Sequence, residues 1–357
     1  MRRADGAAVA VAGVGESGPL ACDPRSIPEM VLDAVEAALA DASLGYDDVE
    51  AVVTASVDLF DGLTASNVAV TEVVGAVMRP ETRISGDGIC AAIHGACELL
   101  AGTCDTVLVV AHGKASMASH PALTEWAMDP VFLQPLGVGF LACAGLQARM
   151  LAEEDAGAVG RWAELAAARR ADAGSDAIAG PCSVEEVLAS PIVASPLRAG
   201  MAAPPGDGAC AVALTARPPG AQREDRVLLT GAGWDLEPHS LGERDLRRWE
   251  GLRRASDRAY AAAGLDPSHP ALDLAEPSCL YAHEEELFRA AAGVGEGVTV
   301  SPGGGLFAGA APVASGLSRL ADAARRIRAG TARRALAHGT WGPAGQAHAV
   351  AVLEADG

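Results

Sequence analysis

Cys90 stands in "GDGICAAIHGACELLAG" (86–102), between a glycine-rich turn and a run of small helix-forming residues. A strand-like segment, 82–85, leads into Gly86-Asp87-Gly88, where the chain can turn sharply before the helix begins. A helix start offers free N–H groups and the positive end of the dipole, which stabilise a thiolate and an oxyanion formed beside it. A thiol so placed attacks a thioester and carries the acyl group. The competing reading is a small side chain packed like alanine, which suits Cys97 and Cys104 at successive seven-residue steps. A thiol nucleophile needs a base, and the histidines are the candidates. His94 lies one helical turn after Cys90, His283 lies in "AHEEELF", and His338 lies in a C-terminal "AHG". His112 occupies an identical "AHG" earlier in the chain, which favours a structural role for His338. The eight cysteines form no C-x-x-C pair, so no zinc site is expected, and their scatter suits a reduced, cytoplasmic protein. Lys114, the only lysine, is a Schiff-base candidate in principle. The excess of Arg over Lys reads as compositional bias.

The elements that would hold these residues come in two similar sets. "AAVAVAGVG" (7–15) reads as a strand, "EMVLDAVEAALADASL" (29–44) as an amphipathic helix and "DDVEAVVTAS" (47–56) as a second strand. "RVLLTGAGWD" (226–235), "LRRASDRAYAAAGL" (252–265) and "ALDLAEPS" (271–278) repeat that order. Each set ends in a helix, "AGT", a strand and "AHG", at 90–113 and again at 312–339. A duplicated βαβ plan with near-continuous apolar strands implies central parallel strands covered by helices. The expected halves are 1–220, interrupted by an insertion at about 114–191, and 221–357, joined through "ARPPGAQRED" (216–225). An insertion of that size is expected to shape a substrate entrance or an interface.

The composition narrows the partners. A formal charge of −19 repels nucleic acid and anionic membrane, so neither is expected to bind. No apolar run reaches membrane-spanning length, and the short apolar N-terminus reads as a first strand rather than a signal peptide.

Several segments together resemble the thiolase superfamily, nearest to the sterol carrier protein X, or lipid-transfer, type. They are the duplicated halves, the cysteine at a turn-to-helix junction, "FLACAGLQARMLAEE" (140–154), "SPIVASPLRAGMAAPPGDGACAVALTA" (190–216) and "VSPGGGLFAGAAPVASGL" (300–317). The resemblance covers nearly the whole chain. It implies an α/β fold of two similar βαβ-containing halves, layered α/β/α/β/α. It also implies that Cys90 takes an acyl group from a CoA or carrier-protein thioester, with no further cofactor. Other family groups are replaced. Ala310 stands where the activating histidine is found, Ser278 stands at the His/Asn position with Cys279 and Tyr281 beside it, and His338 or Gly339 stands at the final acid/base position. The resemblance therefore implies an acyltransferase or condensing enzyme with degenerate histidines, using Cys90, Ser278 and His338, with backbone N–H groups at Cys90 and near Trp341 as an oxyanion hole. Its alternatives are a non-catalytic subunit paired with an active thiolase-like chain, and a retro-aldolase with Tyr281 as acid/base. It further implies a homodimer or heterodimer, and a small OB-fold protein as partner.

Overall fold

The computed structural model describes residue 1 and residues 3–217 and 227–356. The expected junction at 216–225 lies, from 218 on, outside the described residues.

The first set of strands is β1 (Ala8–Leu20), β2 (Ala51–Ala55), β3 (Glu81–Ile84) and β4 (Thr106–Lys114). Between them run α1 (Ile27–Ala42), the single turn α2 (Asp58–Asp61) and α3 (Gly88–Ala101). Ser26 starts α1 through a capping box with Glu29, which satisfies N–H groups left free in a first turn. The segment after β4 builds a separate lobe. It carries α4 (His120–Trp126), α5 (Phe140–Glu154), α6 (Ala158–Ala173) and α7 (Val184–Ala189), then the short pair β5 (Ile192–Ala194) and β6 (Leu197–Arg198). The chain returns to the sheet as β7 (Asp207–Arg217).

The second set is β8 (Val227–Leu236), α8 (Glu250–Ala263), β9 (Leu274–Glu276), α9 (Ala282–Ala292) and β10 (Thr299–Val300). It ends with α10 (Ser315–Arg328), β11 (Arg334–Trp341) and β12 (Ala347–Ala355). The strand order is β10-β9-β11-β12-β8-β1-β7-β4-β2-β3. Read outward from the β1–β8 seam, each side has the same plan. β1 and β8 occupy equivalent places, as do β7 and β12, β4 and β11, β2 and β9, and β3 and β10. The seam is short, pairing Ala10 with Leu228 and Val11 with Val227.

Strand alternation sorts the side chains into layers. Val107, Val109 and Ala111 of β4 and Ala335 and Ala337 of β11 face a shared core with α3 and α10 between them. Leu108 and Val110 point the other way, under α1. Leu336, Val350 and Val352 point outward under α8 and α9. The result is the layered α/β/α/β/α arrangement of two similar halves. Glycine pairs permit the close packing. A Cβ on Gly13 or Gly15 of β1 would overlap the α1 backbone, and one on Gly231 or Gly233 of β8 would overlap α8 in the same way. The α3 and α10 starts also meet, because Gly88 N–H donates to the Val313 carbonyl at 2.7 Å.

Candidate active site

A cavity of about 410 Å³ opens where these two helix starts meet the lobe. Phe60 and Trp341 stack edge-to-face on its wall, with ring centres 5.3 Å apart, and Phe140 of α5 packs on the other side of Trp341 at 6.2 Å. Asp87, Ser278, Tyr281 and Glu284 are among the wall residues that carry acid–base or hydrogen-bonding chemistry.

Asp87 is the N-cap of α3 and is 3% exposed. One carboxylate oxygen accepts the Ile89 N–H at 2.9 Å, and the other accepts the Gly316 N–H of α10 at 3.0 Å. The carboxylate therefore ties the starts of both central helices together. Gly316 and Gly339 make room for it, since a Cβ at either would overlap Asp87 Oδ1. No cation pairs with it among the described residues. Burial pushes its pKa up to about 7, against the pull of the two N–H donors.

Tyr281 and Ser278 lie in the turn before α9. Glu284 reaches back from the first turn and accepts the Leu280 N–H at 2.7 Å and the Tyr281 N–H at 3.2 Å, so it fixes the turn that presents both. Burial pushes Glu284 up to about 7, and it pushes the Tyr281 hydroxyl well above its ordinary range. Tyr281 is thus a proton donor rather than a phenolate at neutral pH.

The structure brings Ser278 and Tyr281 to this cavity but not Cys90 or His338. Cys90 is half-buried on α3 and packed against the central core, and it is not among the residues lining the cavity. Burial, with a further contribution from the Asp87 carboxylate, pushes its thiol up to about 12. The helix start that was expected to lower it is already used. Asp87 occupies the Ile89 N–H, and the Cys90 N–H donates to the Asp87 carbonyl at 3.0 Å. The Ile89 and Cys90 N–H groups are thus both engaged by Asp87.

His338 lies on the opposite parity of β11 from Ala337 and Gly339, so it points under α8 and α9. It is fully buried, hydrogen-bonded at 3.1 Å to His348 and packed against Phe288 and Trp249. Burial drives it well below the ordinary histidine range, so it stays neutral. Gly339, its neighbour, is the residue that faces Asp87. His283 is also buried, bonded at 3.1 Å to Gln147 and lowered to about 3 by desolvation. His94 pairs with Glu98 on the outer face of α3, and His112 pairs with Asp61 in the core. Neither a cysteine nor a histidine is found among the described residues lining the cavity.

Asp87 and Glu284 were missed by sequence reasoning. Asp87 carried a usable signal, as an Asp immediately before a helical run is an N-cap. That the cap faces a cavity depends on α10 and β11, far away in the chain.

No protein-family model matches the chain. No curated protein matches it either. Solved structures do. A structure named as an Ltp2-ChsH2(DUF35) aldolase superposes with a TM-score of 0.79 at 20% identity, over 98% of both chains. A monomeric SCP2-thiolase like protein type 1 from Mycobacterium smegmatis gives 0.78 at 18% identity, over all of this chain and 78% of its own. Human mitochondrial 3-ketoacyl-CoA thiolase gives 0.77 at 16% identity, over 98% and 99%. The fold is therefore thiolase-like. Among the described residues, no helix is long and apolar enough to cross a membrane.

Proposed function

We propose that this protein is a thiolase-like lyase that cleaves a 3-hydroxyacyl thioester of CoA or a carrier by retro-aldol chemistry. The observation that carries the reading is the makeup of the cavity: a buried, cation-free Asp87 and a protonated Tyr281 among its lining residues, with no thiol or imidazole among the described ones. A base takes the proton of the 3-hydroxyl. The C2–C3 bond breaks, a carbonyl forms at C3, and the electron pair passes into the thioester as an enolate. Protonation at C2 then gives a shortened acyl thioester and an aldehyde or ketone. No oxidant is needed and no acyl-enzyme forms. Asp87, titrating near neutrality, suits the base, and its helix-start donors keep it in place. Tyr281 suits the donor to the enolate, and Ser278 offers a hydroxyl to the thioester oxygen.

The neighbour named as an aldolase supports this reading by its name, and that name also carries a second component. In this reading the chain works as a homodimer, or with a thiolase-like or small OB-fold partner. The open edge at β3 leaves room for pairing with another chain. The test is carbonyl release from a panel of 3-hydroxyacyl-CoA thioesters. Native protein and Cys90→Ala release product equally, whereas Tyr281→Phe loses about 100-fold or more in kcat. Loss of turnover in Cys90→Ala, with Tyr281→Phe unaffected, refutes the reading.

A further inference from the structure

The cavity wall carries a single cation among the described residues, Arg170, in the last turn of α6. Its Nε is buried and has no hydrogen-bond partner. The next residue back in the chain shows what such a group ordinarily has. Arg169 grips Glu285 with one edge of its guanidinium, Nε to Oε2 at 2.9 Å and Nη2 to Oε1 at 2.7 Å, and reaches Asp172 with Nη1. Arg170 has no carboxylate among the described residues. The helix C-terminus favours a positive charge there, but it supplies no acceptor for the Nε–H. A buried donor without a partner is costly, and other residues of the same cavity wall, such as Leu141, Ala144, Val193 and Ala199, are apolar.

We infer that the cavity takes a substrate whose acyl chain bears a carboxylate remote from its reacting end, gripped by Arg170 as Arg169 grips Glu285. This rests on the thioester reading of the same cavity and names its substrate class. A planar guanidinium with a free Nε edge matches a carboxylate at two points, and an apolar surround strengthens that pair. The apolar residues of the cavity wall suit the methylene chain between the two polar ends.

The test needs no turnover. Octanoate and octanamide share a chain and differ in charge, and their binding is measured by calorimetry on the full chain. Native protein is expected to bind octanoate at least about 10-fold more tightly than octanamide. Arg170→Gln abolishes that preference, and Arg170→Lys keeps part of it; thermal melts confirm that both variants fold. Equal binding of the two probes by native protein overturns the inference, as does no octanoate binding at millimolar concentration. So does a preference that survives Arg170→Gln. 4′-Phosphopantetheine supplies the other arm. If Arg170→Gln weakens it while octanoate is unaffected, Arg170 reads a carrier phosphate and the inference fails. Absence of lyase turnover, by contrast, sinks the proposed reaction without altering these results.

Discussion

Replacing Asp87 with Asn separates the chemistry of this carboxylate from its architecture. Asn keeps an oxygen for the Ile89 N–H, but its amide turns a donor toward the Gly316 N–H, so one of two bonds is lost. The ionised carboxylate is itself a burden on the fold. Its pKa stands at about 7, against an ordinary 3.8, so ionisation is disfavoured in the folded state. A raised carboxyl gives a definite sign: stability is full below pH 4 and falls as pH rises toward 7. Between pH 5 and pH 7 the change is two pH units at about 1.4 kcal/mol each, or about 3 kcal/mol. Urea melts at pH 5 and pH 8 measure it. Glu284 and Glu276 are also raised to about 7 and tilt native stability in the same direction. The informative quantity is therefore the difference between native protein and Asp87→Asn, which should shrink or reverse by about 3 kcal/mol on going to pH 8. Carbonyl release should meanwhile fall by about 100-fold or more, losing its limb near pH 7. An unchanged native-minus-variant difference between the two pH values, together with full turnover, refutes the reasoning.

Cys90→Ala should leave turnover within about twofold of native, and the native thiol should react slowly with iodoacetamide at pH 8, as read by intact mass. Gly339→Ala forces a methyl group onto Asp87 Oδ1 and should cost about 1–3 kcal/mol in denaturant melts while cutting turnover sharply. His338→Leu should flatten the acid side of the stability profile. His338 is held neutral in the fold, so native stability is full above about pH 6.5 and falls below it; removing this one histidine takes away up to about 1.4 kcal/mol per pH unit of that slope, measured between pH 6 and pH 4.

The layered fold was legible because its signals are local. The repeated strand–helix–strand order, the glycine-bearing first strands and the matching "AHG" endings each reflect a packing demand that both halves share. Tyr281 and Ser278 were placed through the resemblance, and the structure sets both on the cavity wall. Cys90 and His338 lie off the cavity wall for a reason that types and spacing do not reveal. Cys90 packs against the central core off the cavity wall, and on β11 a step of one from Gly339 carries His338 to the outer layer. In sequence Asp87 reads as part of the glycine turn. Its role depends on Gly316 and Gly339, more than 220 residues away in sequence, leaving space for a carboxylate. Arg170 looked like one of many arginines until the structure showed which of them lack an acid.

The central claim is that carbon–carbon cleavage proceeds here by proton transfer at Asp87 and Tyr281, without an acyl-enzyme. Intact-protein mass spectrometry during turnover of a 3-hydroxyacyl-CoA that releases product tests it most directly. The account predicts accumulating carbonyl product with the protein mass unchanged, in native protein and in Cys90→Ala alike. An added acyl mass that maps to Cys90, and vanishes with turnover in Cys90→Ala, would contradict it.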